Sequence, residues 1–194
     1  MSFSKLKQGF SIPFNTNCTI RLIQHSDLED VIEVLDDHRV NQYLYFAPAD
    51  RSLYTGYFTP IIENTRQAIA NGQWPDNPTF VIRDKNGQYM GMTAVTRVMF
   101  LNGNFEVGYQ LPFHAWGQGI ATCACQLMTK LGFEELKAHK IGADCYGSNL
   151  GSYKTLEKCG YAKEGQQRNY YLTDQGFDDK LIYGLSKQRY FDSV

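Results

Sequence analysis

The chain has 194 residues, 43% of them hydrophobic and 20% charged, with a formal net charge of -1. That length suffices to bury a core within one domain, and the composition argues against a disordered or fibrous polymer. The near-zero charge argues against a strong generic grip on nucleic acid, which draws on phosphates neutralised by Lys and Arg, and leaves only a local basic patch open.

No apolar run approaches the ~20 residues needed to span a membrane, and the opening MSFSKLKQGF lacks the apolar stretch and cleavage pattern of a signal peptide, so a cytoplasmic location is expected. Cys18, Cys123, Cys125, Cys145 and Cys159 form an odd, scattered set that suits reduced thiols. Cys123 and Cys125 stand two apart, a spacing that does not share a helix face, so no bound metal is expected.

Residues 1–17 read as an irregular N-terminal segment, and 18–190 as one domain. Thr19 to Ile23 reads as a strand; Ser26 with Glu29 offers a capping box for a helix carrying Leu28, Val31, Ile32 and Leu35 on one face. A second helix between Asp50 and Gly72 carries Ile61, Ile62, Thr65 and Ile69, with Gly72, Pro75 and Pro78 marking its end. From Thr79 the pattern changes to TFVIR, YMGMTAVTRVMF and FEVGYQL, three antiparallel strands joined at Asn86-Gly87 and Asn102-Gly103, dipeptides suited to the type I′ turn. A helix follows Trp116, with Ile120, Ala124, Leu127, Met128 and Leu131 along one stripe. Then come the strand IGADCY, a helix capped by Ser148 or Asn149 and ending before Gly160, and two closing strands, YAKEGQQRNYYL and DKLIYGLS. The order β-α-α-β-β-β-α-β-α-β-β describes a mixed α/β sheet without internal repeats.

The most informative stretch is Trp116-Gly117-Gln118-Gly119-Ile120-Ala121-Thr122, between a strand and the first turn of a helix. The first N–H groups of a helix lack internal acceptors, and the dipole places partial positive charge there, so a phosphate fits if small residues let it approach. Taken alone, G-x-G-x-A fits equally a helix start whose glycines serve turn geometry only. It is no Walker loop, because no Gly-Lys-Ser/Thr follows, and Thr122 stands where a dinucleotide fingerprint has its third glycine.

Read with its neighbours, EVGYQLPFHAWGQGIATCACQLMTKLGFEEL resembles the strand and helix that bind acyl-CoA in GNAT acetyltransferases, with Trp116 where that pattern has Arg or Gln. Downstream, NLGSYKTLEKCGYAKEGQQRNYYL resembles the RimJ/RimL-like branch, the ribosomal-protein N-terminal acetyltransferases, through Asn149, Ser152, Leu156, Glu157, Lys158, Gly160 and Tyr161. The resemblance implies a GNAT fold, a central, mostly antiparallel twisted sheet with splayed parallel middle strands. It implies acetyl-CoA as cosubstrate and an amine acceptor such as a ribosomal protein N-terminus; from the charge, no direct nucleic-acid binding is expected, and the chain is expected to be a monomer or homodimer.

The resemblance also places CoA on Leu111, Gly117, Gln118, Gly119, Ile120, Ala121, Thr122, Asn149 and Ser152. Glu106 is the candidate base, directly or through water, against the reading of a solvated strand carboxylate; strand alternation sets it with Gly108 and Gln110, opposite Phe105, Val107 and Tyr109. Ser152 is the candidate to protonate the departing thiolate, because Leu156 stands where many relatives carry a tyrosine acid; a capping pair is the plainer reading of Asn149 and Ser152. Tyr170 stands where some of this branch carry a glutamate. Tyr43, Tyr45, Phe46, Tyr54, Tyr57 and Phe58 either line the acceptor side or simply pack. A small amine such as a polyamine or amino sugar, and a non-catalytic acyl-CoA sensor, are the rival readings.

Overall fold

In the computed structural model, residues 3–192 are described. The helices are α1 (Phe3–Lys7), α2 (Leu28–Asp36), α3 (His38–Asn41), α4 (Arg51–Ala70), α5 (Ile120–Glu134), α6 (Leu150–Lys158) and α7 (Lys187–Asp192). The strands are β1 (Ile12–Pro13), β2 (Cys18–Leu22), β3 (Thr79–Asp84), β4 (Tyr89–Arg97), β5 (Asn104–Gln110), β6 (Lys140–Tyr146), β7 (Ala162–Thr173) and β8 (Gly176–Ser186). Among the described residues the strands form one sheet of order β1-β2-β3-β4-β5-β6-β8-β7, in which only β5 and β6 pair in parallel. This is the expected mixed, mostly antiparallel sheet flanked by helices. No described helix is long and apolar enough to cross a membrane.

Alternation along the strands feeds two cores, one on each face. Ile20, Leu22, Phe80, Ile82, Val95, Phe105, Val107 and Ile141 pack with the α5 stripe of Ile120, Ala124, Leu127, Met128 and Leu131. Each large aliphatic of that stripe contributes about 1.5–3 kcal/mol through burial. A Cβ on Gly132 would come within 2.6 Å of the Ile141 side chain, so glycine there lets α5 lie close on the sheet. On the other face, Ile23, Val81, Tyr89 and Met92 pack with Val31, Ile32 and Leu35 of α2 and Tyr54, Phe58 and Ile62 of α4.

Three local expectations are corrected. The N-terminal segment is not irregular: α1 buries Phe3 and Leu6, β1 buries Ile12, and Phe14 just after it is buried too, with Phe3 set edge-on to Trp74 at 6.2 Å. Two short pieces carry too few residues for a periodic signal, and their order comes from partners distant in sequence. The capping box is Gln24–Asp27, on a 3-10 turn over His25–Asp27, rather than Ser26–Glu29. Asp27 is fully buried and accepts from Arg21 (2.7 and 2.8 Å), Arg83 (2.7 Å) and the Gln24 N–H (2.8 Å), which starts the helical turn earlier and ties α2 to β2 and β3. Burial raises the Asp27 carboxyl, but the bonds from Arg21, Arg83 and Gln24 outweigh it and hold the group below the usual range.

The Asn-Gly turns are likewise not type I′, since Gly87 (φ 84°) and Gly103 (φ 75°) are left-handed while Asn86 and Asn102 are not. In the first, the Gly87 N–H donates to the Asp84 carbonyl at 3.1 Å and the Asp84 side chain accepts from the Asn86 and Gln88 N–H groups, so a longer loop carries one left-handed glycine.

Candidate active site

β5 and β6 pair only over Asn104–Glu106 and Lys140–Gly142. Beyond that point β5 stays with β4 as far as Gln110, while β6 stays with β8 as far as Tyr146. The two strands splay, and a cleft of about 170 Å³ opens between them. Val107–Gln110 form one wall and Ala143–Tyr146 the other; Asn149, the cap of α6, with Ser152 and Leu156 of that helix and the buried Tyr171 complete the lining, and Tyr43, Tyr45 and Phe46 stand at the mouth.

The Gly-rich turn lies where β5 leads into α5. Gly117 (φ 72°) and Gly119 (φ 74°) are both left-handed, and a Cβ on either would meet no protein atom within 4 Å. Gly119 is the N-cap residue of α5, and no side chain caps that end. The first internal bond runs from the Cys123 N–H to the Gly119 carbonyl at 3.1 Å, so the N–H groups of Ile120, Ala121 and Thr122 precede it. Open space, uncapped donors and the helix dipole together suit a diphosphate. Gln118 is tied back through its Nε2–H to the His114 carbonyl (2.7 Å). Trp116 donates its indole N–H to the Leu111 carbonyl (2.9 Å), so the residue that departs from the family pattern clips the loop through its side chain.

On α6, the Asn149 side chain caps the helix by accepting from the Ser152 N–H at 3.1 Å, and both residues also line the cleft. The two residues therefore cap the helix and line the cleft at once. The residue that periodicity did not single out is Tyr109, whose hydroxyl donates to the Ser152 carbonyl (3.1 Å) and lies 3.2 Å from Ser152 Oγ. Its hydroxyl joins β5 to α6 across the cleft. Burial raises the Tyr109 phenol above its ordinary value, so it is a neutral hydrogen-bonding group. Cys145, beside Ser152, is pushed up to about 11 chiefly by burial. Leu156 is buried in the core and offers no acid.

Glu106 stands at the last paired position of β5, beside Gly142, and is exposed; it is not among the residues lining the cleft. Asp144, two residues past Gly142, does line it, and accepts from Lys180 Nζ (2.8 Å) and the Tyr171 hydroxyl (3.4 Å). Tyr170 is half-exposed, with Lys180 5.2 Å from its ring centre. The aromatic group divides: Tyr43, Tyr45 and Phe46 line the cleft, while Tyr54 and Phe58 are buried in the α2–α4 core and Tyr57 is exposed.

Comparison with known proteins gives the same answer as this geometry. Residues 17–162 match the Acetyltransferase (GNAT) domain. The chain is 26% identical over 183 residues to the "Putative ribosomal N-acetyltransferase YdaF" of Bacillus subtilis, covering 93% of this chain and 97% of that protein. Its fold is similar to that of the ribosomal-protein-S5-alanine acetyltransferase of Vibrio fischeri, at a TM-score of 0.74 and 21% identity over 92% of this chain and 97% of that one. It is similar also to that of the spermidine N-acetyltransferase of Vibrio cholerae in complex with CoA and spermine, at a TM-score of 0.76 and 18% identity over 91% and 99%. With its splayed strands, its glycine turn and a family match over more than half its length, the chain belongs to the GNAT acetyltransferases and is an N-acetyltransferase.

Proposed function

We propose that this enzyme transfers acetyl from acetyl-CoA to a protein N-terminal α-amine, by direct attack within a ternary complex. The observation that carries the reading is the cleft itself, which opens where β5 and β6 part and carries aromatic residues on its lining, in a fold whose next helix, α5, starts with an uncapped, glycine-bearing N-terminus. The N–H groups of Gly117–Thr122 would hold the diphosphate, with Asn149 and the backbone near Leu111 on the pantetheine arm. Acetyl-CoA supplies an activated acyl carbon. The protein's part is to hold both reactants in one cleft, an effect worth roughly 7–11 kcal/mol for well-oriented partners.

Ser152, fixed by Tyr109 and by its place in the first turn of α6, would donate a proton to the departing sulfur. Glu106 is the base on β5 and acts through water, in keeping with its position outside the cleft lining. An α-amine has a pKa of about 7.7–8.0 and a lysine amine about 10.4, so a weak carboxylate relay suits a protein N-terminus better than a lysine side chain. The mouth of Tyr43, Tyr45 and Phe46 offers apolar surface for the residues that follow the amine.

The test is thiol release from acetyl-CoA against N-terminal peptides, including ribosomal-protein termini, alongside polyamines and amino sugars. Turnover selective for peptide termini is expected. Selectivity for a small amine would replace the acceptor, and tight CoA binding without turnover on any amine would replace the enzyme with a sensor.

A further inference from the structure

Among the described residues that line the cleft, Asp144 brings a carboxylate. Asp144 lies on β6 two residues beyond Gly142, the last residue paired with β5, so it shares the face of Gly142 at the point where the strands have parted. Unlike Glu106, it lines the cleft. Its side chain is one-third exposed and is held from two elements: Lys180 of β8 donates to Oδ2 at 2.8 Å and the Tyr171 hydroxyl of β7 to Oδ1 at 3.4 Å.

The wall beside this carboxylate is aromatic and pre-ordered. The Tyr146 and Tyr171 rings stack at 3.7 Å with 5° between planes, and Tyr43 stands edge-on to Tyr146 at 6.3 Å. A fixed carboxylate attracts a primary ammonium ion through its charge, and the stacked rings give the amine's apolar part a rigid wall. The titratable groups around Asp144 are Lys180, Tyr171 and Tyr146, with Cys145 next to it on the opposite face of β6 and Glu106 acting on Lys180 from β5. Burial keeps Tyr171 protonated, hence a donor. Burial also lowers Lys180, but the bond and charge of Asp144 outweigh it, so the lysine stays cationic.

We propose that Asp144 receives the acceptor as its ammonium ion and takes the proton that frees the amine for attack. This inference rests on the acetyl-transfer reading above and places the first proton transfer one step nearer the acceptor than Glu106. The proton passes from the ammonium nitrogen to an Asp144 oxygen. The freed lone pair forms the N–C bond to the thioester carbonyl carbon, the nitrogen gives up its second proton through water to Glu106 and on to solvent, and the C–S bond breaks with its electron pair on sulfur. The thiolate takes the Ser152 hydroxyl proton, which solvent replaces, and Asp144 returns its own proton to water at the mouth.

The experiment is kcat/KM against pH from about 5.5 to 9.5 for wild type and Asp144→Asn, using a peptide acceptor that turns over. If the reacting pair is carboxylate plus ammonium, the wild-type value stays nearly level below the amine pKa of about 7.7–8.0. Asp144→Asn can use only the neutral amine, so its value falls about tenfold per pH unit, roughly 100-fold between pH 7.5 and 5.5. Asp144→Glu, which keeps the carboxylate, should restore the level profile. CoA affinity and melting temperature of all three proteins report whether the fold and donor site are intact. A loss by one constant factor at every pH, as a structural ion pair would give, overturns the proposal, as does an unchanged Asp144→Asn. Both of those outcomes leave the acetyltransferase reading standing, whereas wild-type protein that binds CoA and acetylates no amine overturns both.

Discussion

Gly119→Ala tests the donor site most directly. With φ at 74°, an alanine there adopts a conformation that costs about 1–2 kcal/mol, so some loss of stability is expected whatever the residue does in function. The added Cβ meets no protein atom within 4 Å, so the methyl lies in free space at the uncapped end of α5. Only a ligand seated on the N–H groups of Ile120, Ala121 and Thr122 would meet it. Loss of one charge-assisted hydrogen bond to a phosphate is worth about 1.5–3 kcal/mol, or about 10- to 150-fold in Kd.

Gly160→Ala is the control: its φ is 86°, its Cβ also meets nothing within 4 Å, and it lies beyond the C-terminus of α6. Both variants should lose similar stability in a chemical melt, while calorimetry with CoA should show weakened binding for Gly119→Ala alone. Acetyl-pantetheine, which lacks the diphosphate, should be used equally well by both. Equal CoA affinity in the two folded variants would refute the cradle.

Ser152→Ala removes the Oγ near Tyr109 but keeps the backbone N–H that Asn149 caps, so the fold should persist. A fall in kcat of roughly 100-fold with unchanged CoA affinity is expected, and an unchanged kcat would assign thiolate protonation to water. Asp27→Asn should destabilise the protein by about 3 kcal/mol at neutral pH in urea unfolding, the low end for breaking a buried ion pair because Arg21 and Arg83 keep 18% and 24% of their side-chain exposure. The Asp27 carboxyl is depressed in the folded state. Its stabilisation is therefore present above the unfolded pKa of about 3.9 and lost as pH falls through the lower folded value, so the gap between wild type and variant should narrow below pH 4. A gap independent of pH would show that the variant acts through packing instead.

The sequence by itself determined the elements whose signals are local. The apolar runs of β3 and β4 reflect strands covered on both faces, the alternation at the start of β5 one that is buried on one face, and the α5 stripe a helix lying on a sheet; all three patterns are written in neighbouring residues. Gly117 and Gly119 were legible for the same reason, since a left-handed turn and an open helix end require small residues at fixed positions. Asn149 and Ser152 were legible as a cap, and their second place in the cleft came from the family pattern.

What only the tertiary structure decided depends on distances between elements far apart in the chain. Alternation places Tyr109 on a face but cannot show its hydroxyl meeting Ser152, 43 residues on. Nor can it show that β5 and β6 part after Glu106 and Gly142, which leaves Glu106 outside the cleft lining and brings Asp144 into it beside Lys180. The aromatic run from Tyr43 to Phe58 is uniform in composition, yet the chain path sends its first members to the cleft and Tyr54 and Phe58 into a core. Phe3, Leu6 and Ile12 carry no period of their own and are ordered by surfaces the rest of the chain supplies. Local chemistry sets the elements and the turn, whereas the opening between two strands sets which carboxylates, hydroxyls and rings face one another.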